Sequence, residues 1–205
     1  MGTDLFTLEK KRLRREAAEI IRGSPQSVLT EASEKITEQV LSSPVYQQAE
    51  SIFIYVSTER EPDTRAMIEN AWRAGKALYV PKCYGQGRMD AVRVFSWQDL
   101  SPGAYGIPEP VSTPADGPFP SLDLAIVPCV CASRDGRRLG HGAGYYDRFL
   151  RAHPMPCLCL CFHALLRDDL PTDQLDIPMD AVVTEEGWFS KTIPFFSGQN
   201  SKQGL

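Results

Sequence analysis

Arg134-Asp-Gly-Arg-Arg-Leu-Gly-His-Gly-Ala-Gly-Tyr-Tyr-Asp-Arg148 follows an apolar run, Leu122-Asp-Leu-Ala-Ile-Val127, and leads into a helical pattern from about Tyr145 to His153. A strand, a glycine loop and then a helix form the half-unit of an α/β fold, and ligands of such folds bind beyond the carboxyl ends of the strands. Glycines at 140, 142 and 144 let successive backbone N–H groups turn toward one anion. Arginines on both sides add forked donors suited to phosphate oxygens. The segment therefore predicts a polyphosphate site at a loop-to-helix junction. It is not a Walker A loop, because no Gly-Lys-Ser/Thr follows, and its Gly-x-Gly-x-Gly spacing is not the dinucleotide fingerprint.

Outward from this loop, apolar patterning predicts alternating elements. A basic amphipathic helix covers about 4–22, with Leu5, Leu8, Leu13, Ala17 and Ile20 or Ile21 as its stripe and Lys10, Lys11, Arg12, Arg14 and Arg15 around it. A second helix runs over about 26–42. Strands are expected at Ser51–Val56, Ala77–Val80, Ala91–Phe95, Leu122–Val127, Pro156–Phe162 and Ala181–Thr184, with a helix at Thr64–Ala74. Six prolines mark 101–121 as an ordered loop, and the tail after Phe196 reads as frayed. The expected fold is a single α/β domain over 1–205, a mostly parallel open sheet with helices on both faces and a basic N-terminal helix.

Composition narrows the function classes. A net charge of −4 argues against nucleic acid as a partner, so an anion site must be a local basic cluster. No apolar run reaches the ~20 residues of a membrane span. The charged N-terminus lacks a signal-peptide core, so a reduced, cytoplasmic setting is expected for the six cysteines. Cys157, Cys159 and Cys161 share one face of a predicted strand, where thiols pack as small apolar groups more readily than they bind zinc. Lys10 and Arg14 lie one helical turn apart and could address one target or form a solvated face. Glu61 lies on a loop at the ligand end of the sheet; Asp63 or Thr64 could cap the helix that follows. His141 could donate to phosphate or merely space the loop. Asp147 could hold Mg²⁺ or stabilise a helix N-terminus.

Leu139-Gly-His-Gly-Ala-Gly-Tyr-Tyr-Asp-Arg148 resembles the signature of the 5-formyltetrahydrofolate cyclo-ligases. Lys10-Lys-Arg-Leu-Arg14, Tyr55-Val-Ser-Thr-Glu-Arg-Glu-Pro-Asp-Thr64, Pro81-Lys through Met89-Asp90, Gly106-Ile-Pro-Glu-Pro110, Leu122–Pro128 and Asp176–Glu185 match in order and at plausible spacing. His163-Ala-Leu and Leu175 depart from the family pattern.

The resemblance implies an ATP- and Mg²⁺-dependent enzyme that closes 5-formyltetrahydrofolate to 5,10-methenyltetrahydrofolate, with ADP and phosphate released by way of a phosphorylated formyl oxygen. It implies that Lys10 and Arg138 act in catalysis and, with Arg14, neutralise phosphate oxygens. Leu139, Gly140, His141, Gly142, Ala143, Gly144, Tyr145 and Tyr146 would line the ATP site. Glu61, Met89, Tyr105, Tyr145 and Tyr146 would contact the folate, and Asp147 with Asp180 would hold Mg²⁺. A monomer acting only on small molecules is expected. A storage protein binding folate or nucleotide, or a kinase acting on another small molecule, are the alternatives.

Overall fold

In the computed structural model, residues 2–103, 106–114 and 119–190 are described, with side chains from Leu5 onward. The N-terminal half supplies helices α1 (Gly2–Gly23), α2 (Gln26–Ser42) and α3 (Pro44–Gln48), strand β1 (Ser51–Ile54), helix α4 (Arg65–Arg73) and strands β2 (Ala77–Cys83) and β3 (Met89–Arg93). Two short hairpins follow around a central strand. They are β4 (Leu100–Pro102) with β5 (Pro108–Pro110), then β6 (Leu124–Pro128), then β7 (Cys131–Ala132) with β8 (Arg138–Leu139). Helix α5 (Tyr145–Ala152) and strands β9 (Cys157–Leu160), β10 (Ala181–Thr184) and β11 (Gly187–Ser190) complete the chain.

The main sheet has seven strands in the order β11-β10-β9-β6-β1-β2-β3. Its five inner strands are parallel, and the two edge strands, β3 and β11, run antiparallel to their neighbours. The chain winds from β1 outward to β2, then crosses back to β6 and winds the other way to β9 and β10. Parallel crossovers are right-handed, so α4 and α5 lie on opposite faces. The reversal between β1 and β6 is the switch point at which open α/β sheets bind ligands.

Apolar strand residues face helices on both sides and form one core. Ile52, Phe53, Leu124, Ile126, Leu158, Leu160, Met67 and Ile68 are almost wholly buried. Each such side chain contributes about 1.5–3 kcal/mol of burial free energy. Phe149 of α5 packs on Phe53 of β1 at 4.6 Å between ring centroids, which fixes the helix over the switch point.

Helix α3, the β7–β8 hairpin and the edge strand β11, which follows the Ala181–Thr184 strand, were not expected from the sequence, and four further features differ from its reading. Leu13, Ala17 and Ile21 form the buried stripe of α1, whereas Leu5 and Leu8 stay in solvent, because the helix packs on β7 and the 3-10 turn His163–Leu165. β2 passes through Pro81 to Cys83. Val94 donates to Leu78 O and Tyr84 to Arg88 O, so the nitrogen of Pro81 points away from β3, and β1 pairs no further than Tyr79. Pro81 therefore removes no ladder bond. The 101–121 stretch holds the β4–β5 hairpin instead of loop alone, and β3 begins two residues earlier than expected. The tail after Phe196 lies outside the described residues.

Candidate active site

The glycine loop leaves β8 and enters α5 at the carboxyl end of the sheet. Gly144 caps α5 in the left-handed region, at φ 67° and ψ 22°. Gly142 has φ +102°, which L-residues with side chains rarely adopt. A Cβ there would also sit 3.3 Å from the Arg14 guanidinium carbon. A side chain at Gly142 would thus press on Arg14, which lies against the loop.

Two arginines hold the loop from opposite sides. Arg14 Nε of α1 donates to Gly140 O at 2.8 Å. Arg138 of β8 lies beneath, its side chain 3% exposed. Its Nη1 donates to Pro128 O at 3.2 Å and its Nη2 to Asp147 Oδ1 at 2.9 Å. Burial opposes the Arg138 charge, but the Asp147 carboxylate overcomes it and keeps the guanidinium above its ordinary pKa. Arg138 Nε is buried with no hydrogen-bond partner among the described residues. The guanidinium also rests 5.6 Å from the Tyr146 ring centroid.

Across the loop stands Glu61, which follows β1. The Glu61 side chain is 8% exposed. Its Oε2 accepts the Thr58 N–H and hydroxyl, each at 2.9 Å, while Oε1 faces His141 Nε2 at 3.5 Å. Tyr146 sits between these groups, its ring 6.2 Å from Phe53. Burial, then the Glu61 charge, push its hydroxyl well above the ordinary tyrosine range. Met89 is buried at the start of β3, opposite Cys83, and Tyr145 is half-buried on α5.

The structure thus gathers Arg14, Arg138, Gly140–Gly144, Glu61, Tyr146 and Asp147 at one end of the sheet. It places other predicted residues differently. Lys10 Nζ is held by Asp176 at 2.8 Å and Asp173 at 3.2 Å, so it is not an uncommitted phosphate donor. It ties α1 to the 173–176 segment and fixes Arg14 one turn further along. The Leu139 side chain is buried and belongs to the core. Asp180 lies at the amino ends of β9 and β10, where its carboxylate accepts the Cys157 N–H at 2.7 Å, and so it does not join Asp147. Asp147 is itself engaged by Arg138 and by the Ile177 N–H at 3.2 Å. Among the described residues, no three His, Cys, Asp or Glu side chains converge as a metal site. These donors do not fit a protein-held Mg²⁺ on Asp147 and Asp180. Tyr105 lies outside the described residues.

Further contacts shape the surroundings of the site. Arg148 donates to Ala143 O and, at 3.0 Å, to Gly87 O, joining the glycine loop to the β2–β3 turn. Asp173 and Asp176 were visible only as acids near a matched motif; their cation lies more than 160 positions away. Thr64 is the N-cap of α4 but makes no side-chain cap bond, its hydroxyl going to Tyr55 O, and Asp63, one residue earlier, accepts the Arg65 N–H at 2.9 Å. The strand thiols Cys157, Cys159 and Cys161 are buried and free.

A family model described as the 5-formyltetrahydrofolate cyclo-ligase family matches residues 7–185. A probable 5-formyltetrahydrofolate cyclo-ligase of Caenorhabditis elegans is 32% identical over 170 residues, 75% of this chain and 81% of that protein. The 5-formyltetrahydrofolate cyclo-ligase of Escherichia coli (strain K12) is 31% identical over 163 residues, 75% of this chain and 88% of that one. The NMR structure of Aquifex aeolicus 5,10-methenyltetrahydrofolate synthetase superposes with a TM-score of 0.77 at 27% identity, covering 95% of this chain and 96% of its own. With a family match over most of the sequence and a shared fold, the chain belongs to the 5-formyltetrahydrofolate cyclo-ligase family, ATP-using ligases that act on folate.

Proposed function

We propose that this chain converts 5-formyltetrahydrofolate and ATP to 5,10-methenyltetrahydrofolate, ADP and phosphate. A formamide oxygen is a poor leaving group. Transfer of the γ-phosphoryl group to that oxygen gives an iminium phosphate; N10 then attacks the former formyl carbon, and the oxygen departs with phosphate. In such a reaction the protein acts mainly by placement and by stabilising charge.

The observation that carries this reading is the facing of two unlike surfaces. The Gly140–Gly144 loop under Arg14 offers backbone N–H groups and cations, while Glu61 and Tyr146 form a buried, carboxylate-bearing wall opposite. The loop receives the triphosphate, and Arg14 neutralises its oxygens. Arg138 supports Gly140 from below, where its Nη1 lies 3.2 Å from the position of a Gly140 Cβ. Its unpartnered Nε leaves one donor for a phosphate oxygen that settles into the loop. Glu61 orients the formyl-bearing ring, and Met89, Tyr145 and Tyr146 provide apolar and stacking walls. Mg²⁺ would enter with the nucleotide and neutralise charge on its phosphates.

Folate-dependent ADP release tests the pairing of substrates. ADP should accumulate only when 5-formyltetrahydrofolate is present. ATP turnover without folate would favour a kinase or ATPase, and tight folate binding with no ADP release would favour storage. Glu61→Gln should depress kcat/KM for folate more than for ATP; the opposite ranking would remove Glu61 from the folate side.

A further inference from the structure

We propose that His141 is the proton exit of the ring-closing step, carrying the N10 proton from Glu61 to solvent. This rests on the cyclo-ligase reading above. When N10 bonds to the formyl carbon it becomes cationic and must lose its proton before the methenyl product forms. The C–O bond to phosphate breaks, phosphate leaves with the oxygen, and the proton passes to an acceptor beside N10.

The geometry divides the task between two groups. Glu61 is buried, and Thr58 holds its Oε2 through an N–H and a hydroxyl. Its Oε1 is turned to the imidazole instead, 3.5 Å from His141 Nε2. The His141 side chain is 69% exposed. One end of the pair therefore reaches the reacting face and the other reaches water. An imidazole suits this relay because its charge changes between pH 5 and 8 and its two nitrogens can take up and release a proton in turn.

Charged and titratable groups border the pair on several sides. Arg14 lies over Gly142 and donates to Gly140 O, and Arg138 lies beneath Gly140. Both are cations that border the loop, and the Glu61 carboxylate is the anion that faces the imidazole. Tyr146 is coupled to Glu61 from α5, and burial keeps its hydroxyl protonated. It cannot accept the proton, so Glu61 passes it on to His141. His141 acts through Glu61 and is a positioning residue of the reaction.

The test compares the wild-type chain with His141→Gln and His141→Ala at saturating Mg-ATP and 5-formyltetrahydrofolate, following methenyl formation from pH 5.5 to 9. His141→Ala should lower kcat by about 10²-fold, the lower range for a positioned proton acceptor, with little change in KM for ATP. The acid limb of the kcat profile should move in both variants. Added imidazole should restore His141→Ala in proportion to its concentration and leave His141→Gln unaffected. A raised KM for ATP with an unchanged pH profile and no imidazole rescue would make His141 a phosphate contact and overturn the proposal. Absence of methenyl formation by the wild-type chain would instead overturn the cyclo-ligase reading beneath it, and the proposal with it.

Discussion

Replacing Arg138 with Met should destabilise the fold as well as weaken the nucleotide site. The side chain is 3% exposed and its partner Asp147 20% exposed, so the ion pair is held largely out of water. Breaking one half of a buried pair typically costs ~3–5 kcal/mol, because the surviving charge is left uncompensated. Asp147 retains the Ile177 N–H and some solvent, which places the expected loss near the lower end, about 3 kcal/mol. That is a large share of the roughly 5–15 kcal/mol that holds a domain together. Asp147→Asn keeps an acceptor for Ile177 while removing the charge. Arg138→Met with Asp147→Asn should therefore cost less than the two single changes added, with a coupling of about 2 kcal/mol. Urea unfolding of the four proteins, compared at equal m-values, supplies the cycle. A loss below ~1 kcal/mol for Arg138→Met, or additivity within ~0.5 kcal/mol, would refute the assignment of Arg138 as the buried support of the loop.

Gly142→Ala meets both a φ of +102° and the Arg14 guanidinium; it should cost about 1–3 kcal/mol of loop geometry and raise KM for ATP, and an unchanged KM would contradict the cradle. Cys83 is half-buried, with burial and then Glu109 pushing its thiol up to about 11, and the other five cysteines are buried. A thiol reagent at pH 8 should therefore label one cysteine slowly in the native state and all six in denaturant; two or more native labels at the same rate would be inconsistent with this packing. Asp123 is held low by the Ser51 hydroxyl, Asp173 by the Leu175 N–H and then Lys10, and Asp135, against burial, is brought down to about 2 by Ser133 and Arg137. Folded pKa values below the unfolded value of about 4 give stability that is complete above that pH and lost as pH falls toward 2. Tm should decline from pH 4 to pH 2, and a flat Tm over that window would show that these contacts add nothing.

The inner strands were legible because Ile52-Phe-Ile, Leu124-Ala-Ile-Val and Leu158-Cys-Leu are apolar runs of strand length flanked by turn residues. The glycine loop was legible for the opposite reason, since Gly-x-Gly-x-Gly beside arginines has few other uses. The short hairpins were not. Each strand of β4–β5 and β7–β8 has two or three residues, and β5 lies in a proline-rich stretch that reads as loop. Electrostatic pairing was the least legible level. Lys10 and Arg14 look equivalent on a helix wheel, yet one meets two carboxylates from the far end of the chain and the other meets a loop carbonyl. Asp147 and Asp180 are two acids near matched motifs, but α5 runs from the ligand end of the sheet and β10 starts at the other. Only topology separates them.

The most direct measurement is the appearance of the methenyl chromophore when the purified chain is given 5-formyltetrahydrofolate, Mg²⁺ and ATP, beside the same mixture without ATP. Absorbance should grow with ATP, match the ADP released one to one, and stay flat without it. Growth that is independent of ATP, or ADP release with no methenyl product, would contradict the assignment of the glycine loop and Glu61 to the two halves of one reaction.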